Sequence, residues 1–145
     1  MTFDEIHKEV PSGCNCVKNA TVAGTDDVFY RRGDKKTANS DNFKSRKELG
    51  QPISGKSCKN RCAWQGVSIY LVNGDLERRK IELCAIYQQK QTPDEKWAYF
   101  IKLKPGAGML GQQNEKTNHC ELFKCDQFQF EHIEFVEIFD RSIPL

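Results

Sequence analysis

The sequence has no long apolar run and no large excess of charge of either sign. Of its 145 residues, 38% are hydrophobic and 29% are charged, and the formal net charge is +2. No stretch approaches the roughly 20 consecutive apolar residues of a membrane-spanning helix. Residues 1–10 carry several charges and lack the basic start and apolar stretch of a signal peptide. The sequence therefore predicts no membrane association and a cytoplasmic location.

Internal repeats and low-complexity tracts are also absent, which argues against a repeat protein or a disordered chain. The chain contains nine Phe, four Tyr and two Trp. A chain of this length buries roughly 68–70% of the surface that its unfolded form exposes, which is enough for one core without disulfides or metal sites. We predict a single domain over 1–145, in which 1–26 is a loop-rich segment.

Hydrophobic periodicity predicts an α+β fold. Alternating or β-branched runs indicate strands at 27–32, 66–72 and 97–103. Apolar residues at helical spacing predict the main helix at about 75–90. Ser40 as a cap and Gly50 as a stop predict a short helix at about 41–49. The order of these elements favours a twisted, mostly antiparallel sheet with both helices packed on it.

The last strand-like run, 127–139, alternates and then changes phase between Phe130 and Ile133. A change of phase in a strand indicates a β-bulge or a break into two elements. Both interpretations are open from the sequence.

Charge is unevenly distributed along the chain. Between residues 31 and 61 ten basic residues stand against three acids, whereas 120–145 holds six acids and two bases. One interpretation is two solvated faces that attract each other in the fold. The other is a basic surface that recognises a protein, a nucleic acid or another phosphate-bearing partner, with Phe29, Tyr30 and Trp64 nearby for stacking. Its candidate binding residues are Arg31, Arg32, Lys35, Lys36, Lys44, Arg46, Lys47, Lys56, Lys59 and Arg61.

The seven cysteines form an odd set without an export signal, which predicts reduced thiols rather than disulfides. Cys84 falls inside the helical pattern and is expected to be a small core residue. The pairs Cys14 and Cys16, and Cys58 and Cys62, would together supply four ligands for a structural zinc ion. Neither pair has the usual two intervening residues, so cysteines without a metal are the alternative.

His119 and Cys120 are adjacent and have the residue types of a base and a thiolate nucleophile. Neighbours in a strand point to opposite faces, and no local pattern of a thiol hydrolase is present. An ordinary polar strand end is the competing interpretation.

A looser pattern joins Arg31, at the end of the first strand, with Ser68 in a later strand and Gln129-Phe-Glu131 near the C-terminus. In this order the residues resemble the Arg, Ser and Gln-x-Glu arrangement of ADP-ribosyltransferases. The resemblance implies that Arg31 binds the phosphates of NAD, Ser68 supports the nicotinamide side and Glu131 stabilises charge on the ribose. Val67-Ser-Ile69 stands where that family commonly has Ser-Thr-Ser.

The leading hypothesis from the sequence is a small intracellular binding or accessory domain that recognises its partner through the basic, loop-rich region 31–65. An ADP-ribosyltransferase-like enzyme acting on NAD and a zinc-stabilised binding module are the alternatives. Whether the protein is an enzyme is left open by these patterns.

Overall fold

The computed structural model describes residues 13, 14, 16, 21–22, 26–90, 92–111, 113–125 and 127–144. Most of the predicted loop-rich segment 1–26 lies outside this range. The described residues include seven strands and two α-helices. The strands are β1 (Thr21–Val22), β2 (Phe29–Gly33), β3 (Val67–Leu71), β4 (Trp97–Leu103), β5 (Gly108–Leu110), β6 (His119–Lys124) and β7 (Ile133–Asp140), and the helices are α1 (Cys58–Gln65) and α2 (Leu76–Lys90).

The strands form one antiparallel sheet in the order β1-β5-β6-β3-β2-β4-β7. The α+β prediction is therefore confirmed, and α2 lies where the main helix was predicted. No described helix has the length and apolar character needed to cross a membrane.

The two faces of the sheet are covered by different parts of the chain. On one face, Leu83 and Cys84 of α2 pack in a buried cluster with Tyr30, Phe100 and Phe139. On the other face the irregular segment 34–57 contributes a fully buried phenylalanine to a larger cluster, whose members include Phe43, Val67, Ile69, Tyr99, Ile101 and Leu122. Successive strand side chains alternate between faces, and β4 contributes Tyr99 and Ile101 to one cluster and Phe100 to the other, so it is buried on both sides.

The helical element predicted at 41–49 is a short 3-10 helix over Ser40–Phe43. Its cap is Asn39 rather than Ser40: the Asn39 side chain accepts a hydrogen bond from the backbone N–H of Asp41 at 2.9 Å. Lys44 then adopts an extended backbone conformation that ends the helix. Side chains that bond to nearby backbone groups compete with a longer helix, and residues of this type are frequent here.

A second α-helix, α1, lies at the end of the region 31–65, which was predicted to be basic and loop-rich. Ser57 caps it by accepting a hydrogen bond from the N–H of Asn60 at 3.2 Å, and the helix ends before Gly66. Its sequence lacks the regularly spaced apolar residues by which most helices are recognised, and none of its residues is fully buried. It lies against β3 and β6.

The change of phase in the C-terminal run is a break between two elements. A 3-10 turn over Phe130–His132 precedes β7. β7 then pairs with the whole of β4, from Ile133 opposite Leu103 to Asp140 opposite Trp97. The β4–β7 register also shifts between Phe100 and Ile101. At the predicted position the break into two elements is therefore the correct interpretation, and the register shift lies further along β7, between Phe135 and Glu137.

Candidate functional site

The sheet opens between its two central strands. β2 and β3 pair only at Phe29 with Leu71 and at Tyr30 with Tyr70. Beyond this point β2 follows β4 as far as Gly33, while β3 follows β6. The diverging strands leave a cleft beside Arg31 and Arg32.

Arg31 spans this opening with its guanidinium group. Its Nε donates to the backbone oxygen of Asn42 at 2.5 Å, and its Nη1 donates to the backbone oxygen of Ser68 at 2.7 Å. Burial lowers the pKa of Arg31, and the carboxylate of Glu121 acts in the opposite direction. An arginine stays protonated at neutral pH even when it is desolvated. A largely buried positive charge therefore lies in the gap between β2 and β3.

Three further basic side chains, Arg32, Lys44 and Arg46, line the same cleft, whose volume is about 320 Å³. One carboxylate also lines it: Glu95 Oε2 lies 3.6 Å from Arg32 Nη1. The remaining lining residues are Leu49, Gln51, Ala63, Gly66, Ser68 and Tyr70. The guanidinium of Arg32 lies over the Tyr70 ring, 5.5 Å from its centroid.

Three polar side chains on β3 and β6, those of Ser68, Glu121 and His119, lie in contact behind the cleft. Ser68 is paired directly opposite Glu121 in the sheet, and its hydroxyl donates to that carboxylate at 3.1 Å. His119 Nε2 lies 3.1 Å from Glu121 Oε1 on the other side. Glu121 is only 9% exposed, and a Cβ added to Gly66 would lie 2.9 Å from its Oε2. The absence of a side chain at Gly66 lets the carboxylate sit beside the cleft wall.

A second hollow, of about 370 Å³, lies on the other side of Glu121. Glu121, His119 and Phe123 line it from β6, and Cys62 and Ala63 line it from α1. Ala63 lines both the hollow and the cleft. The two cavities are therefore neighbours, with Glu121 and Ala63 at their boundary.

The structure brings together only part of the predicted basic set. Arg31, Arg32, Lys44 and Arg46 meet at the cleft. The other six do not line it: Lys35 and Lys36 are exposed after β2, Lys47 lies over the Trp64 ring, and Lys56, Lys59 and Arg61 are at or near α1. The stacking residues proposed for nucleic acid are engaged in the fold, because Phe29 and Tyr30 are buried and Trp64 donates its indole N–H to Gln51.

The acidic C-terminal residues that form described ion pairs do so outside the basic region. Glu137 lies 2.6 Å from Lys80 of α2, and Asp140 lies 3.7 Å from Lys96. Glu48, within the basic region itself, pairs with Lys124 at 2.7 Å. Two of the four basic residues of the cleft have acidic partners of their own: Lys44 pairs with Asp41 at 2.7 Å and Arg32 with Glu95 at 3.6 Å.

The four cysteines assigned to zinc are bonded to one another. Cys14 pairs with Cys58 and Cys16 with Cys62, with Cα–Cα distances of 5.4 and 5.6 Å. The prediction that they are reduced is wrong in this structure, whereas Cys84 is a buried free thiol as predicted. The sequence correctly grouped the four residues but not their chemistry: a disulfide sulfur is not the thiolate that zinc requires. Zinc binding by the reduced chain stays a prediction. Among the described residues, no group of three or more His, Cys, Asp or Glu side chains is placed to hold a metal ion.

The third residue of the ADP-ribosyltransferase-like set is placed away from the other two. Glu131 is exposed in the turn before β7, and β7 is separated from Ser68 on β3 by β4 and β2. Strands are spaced about 4.8 Å apart, which puts three strand spacings, roughly 14 Å, between them. The carboxylate beside Ser68 is Glu121, which the sequence analysis missed. Only the register of β3 with β6 reveals it.

Cys120 has little of the solvent access that a nucleophile needs. It is buried, and burial followed by the charge of Glu121 raises the pKa of its thiol to about 12. His119 pairs with Glu121 rather than with the Cys120 thiol. The strand-end interpretation of this pair therefore fits the structure.

The chain matched no protein-family model, no curated protein and no solved structure.

Proposed function

We propose that this protein binds a phosphate-bearing partner in the cleft between β2 and β3. The observation that carries the proposal is the guanidinium of Arg31, which is buried in the opening and bonded to backbone oxygens of Asn42 and Ser68. A desolvated cation gains from an anion that replaces its lost hydration. Arg32, Lys44 and Arg46 add positive charge to the same cavity.

Phosphate suits this arrangement better than a single carboxylate does. The two described bonds of Arg31 use two of the five N–H groups that a guanidinium offers. A phosphate presents several acceptor oxygens, which an arginine fork and neighbouring cations can share. The cleft admits a small phosphorylated group, whereas the three aromatic residues proposed for stacking on a nucleic-acid strand are buried or hydrogen-bonded within the fold.

The test compares neighbouring charge reversals in one loop. We expect Arg46→Glu to weaken binding of inorganic pyrophosphate at least tenfold, measured by isothermal titration calorimetry at fixed low salt, because Arg46 lines the cleft. Lys47→Glu makes the same charge change one residue later, but Lys47 lies over the Trp64 ring at 5.6 Å. It should change the affinity by less than threefold.

The melting temperature of each variant is measured as well, so that lost folding is not mistaken for lost binding. Equal weakening by both substitutions would point to a general effect of the basic region rather than to the cleft. If pyrophosphate does not bind to the wild-type protein at all, the proposed function is wrong.

Two disulfides bear on where such binding would occur. Disulfides persist in oxidising compartments and are rare in the reducing cytosol. The bonds between Cys14 and Cys58 and between Cys16 and Cys62 therefore favour an extracellular or other oxidising location over the predicted cytoplasmic one.

A further inference from the structure

The cleft and the hollow beside it have different chemistry. Basic and polar side chains line most of the cleft. The hollow has a more apolar wall, which includes Phe123 and the disulfide-bonded Cys16 and Cys62. Glu121, a nearly buried carboxylate, lines the hollow and lies behind Gly66 and Ser68 of the cleft wall. A site of this form offers one end for an anion and another end for a hydrogen-bond donor on an organic group.

The carboxylate has free acceptor capacity for such a donor. An ionised carboxylate has about four lone-pair positions. Its described partners are the Ser68 hydroxyl, at 3.1 and 3.2 Å from its two oxygens, and His119 at Oε1. Glu121 Oε2 is the oxygen next to Gly66, which lines the cleft without a side chain to block the way.

The distance between the two ends is short. Arg31 donates to the backbone oxygen of Ser68, and Glu121 accepts from the hydroxyl of the same residue. Because Arg31 and Glu121 both contact Ser68, a single molecule only a few bonds long can contact both of them. Glycerol 3-phosphate is of this size.

We infer that the ligand is a phosphate ester whose organic part carries a hydroxyl or amino group, with the phosphate in the cleft and the donor at Glu121. The inference rests on the proposed function and narrows its ligand class. Inorganic phosphate would then use only half of the site. A hydrogen bond to a carboxylate is about twice as strong as one between neutral groups, which makes Glu121 the source of discrimination.

The test uses two phosphate esters that differ only in their hydroxyl groups, glycerol 3-phosphate and n-propyl phosphate. We expect the wild-type protein to bind glycerol 3-phosphate about tenfold more tightly, which corresponds to roughly 1.4 kcal/mol. Glu121→Gln should reduce this ratio to threefold or less. Loss of the negative charge near Arg31 acts on both esters alike, so the ratio of the two affinities is the readout.

The control is Glu95→Gln, which neutralises the carboxylate that pairs with Arg32 at the cleft. It should keep the tenfold preference, because Glu95 has no described contact with the Ser68–Glu121 pair. The comparison of the two esters on the wild-type protein does not depend on whether any variant folds. Equal binding of the two esters, or binding of neither while pyrophosphate still binds, would overturn the inference and leave the proposed function standing. Binding of none of the three ligands would overturn both.

Discussion

Arg31 of β2 and Ser68 of β3 are joined across the opening in the sheet by a side-chain hydrogen bond, from Nη1 to the backbone oxygen at 2.7 Å. Elsewhere in the sheet such a carbonyl is bonded by a neighbouring strand. Here the guanidinium takes that place, because β2 and β3 have already diverged. One side chain therefore closes the fold locally and also places a positive charge in the cleft.

The first prediction concerns this dual role. Arg31→Met removes the donors to Asn42 and Ser68, whose carbonyl oxygens then turn to water in the open cleft. We expect the free energy of unfolding to fall by roughly 1–2 kcal/mol. Urea denaturation measures this change. Arg31→Lys keeps the charge but cannot bond both carbonyls with one planar group, so its effect should be intermediate. An unchanged urea midpoint in both variants would show that the two bonds do not support the fold.

The second prediction is a count of reactive thiols in protein purified without a reductant. The three free cysteines, Cys84, Cys120 and Cys125, are all buried. The raised pKa of Cys120, about 12, further lowers its reactivity. We expect Ellman's reagent to detect no thiol in the native protein, three after denaturation, and seven after denaturation with reduction.

The same count separates the interpretations of the remaining four cysteines. A value of seven in denatured protein that was never reduced would mean that Cys14, Cys16, Cys58 and Cys62 are thiols and would restore the zinc-stabilised module as an alternative. Reduction should also destabilise the fold. Each bond closes a loop, with sequence separations of 44 and 46, and a loop of that size is worth roughly 4 kcal/mol in the chain-entropy account. The second bond adds less, because the first already holds the same two segments together.

The third prediction concerns the ion pair between Glu48 and Lys124. Burial alone would raise the pKa of Glu48, but hydrogen bonds from Lys124 and from Ser45 outweigh it and lower the pKa below its usual value. A carboxyl group with a lowered pKa in the folded state stabilises the protein above its unfolded pKa, near 4.3, and this contribution is lost as the pH falls through the folded value.

Glu48→Gln should therefore reduce the free energy of unfolding by about 1 kcal/mol at pH 7, a modest value because the Glu48 side chain is one-third exposed. At pH 3 the variant and the wild type should differ much less. Urea unfolding at both pH values measures the two differences. Glu115→Gln, at an exposed turn position, makes the same charge change as a control. A difference that stays constant from pH 7 to pH 3 would contradict the assigned role of the carboxylate.

The regular parts of this fold were predictable because their sequence patterns are local. β4 was predicted with its observed bounds, Trp97–Leu103, from alternation alone. The helix α2 was found from apolar spacing. By contrast, α1 has no apolar face, and two disulfides to the N-terminal segment fix its position. A pattern of hydrophobicity contains no signal for such an element.

The candidate site was predictable only in part, for a related reason. The density of basic residues from 31 to 61 indicated where charge would gather, and four of the ten meet at the cleft. Which four meet depends on the point where β2 leaves β3. The role of Glu121 depends on its register opposite Ser68. The point of divergence and the strand register both depend on contacts between distant parts of the chain, which cannot be predicted from local sequence patterns.

The last prediction tests the pairing of β5 with β6, which forms the side of the sheet next to the second hollow. Gly108 begins β5 with φ at +154°, and a Cβ there would overlap the backbone oxygen of Phe123 and lie 3.0 Å from the Cα of Lys124. The obstructing atoms belong to the backbone of β6, so a side-chain rotation cannot relieve the overlap. Gly108→Ala should cost roughly 3 kcal/mol or more.

Gly74→Ala is the matched control for this substitution. Gly74 also has a positive φ, +111°, but a Cβ there would meet no atom within 4 Å. Only backbone strain is then expected, at about 1–2 kcal/mol. Urea denaturation of both variants separates the two contributions, since the control contains the strain without the collision. Equal losses would show that β5 shifts away from β6 at little cost, and the close Gly108–Phe123 approach would then not be a constraint on this edge of the sheet.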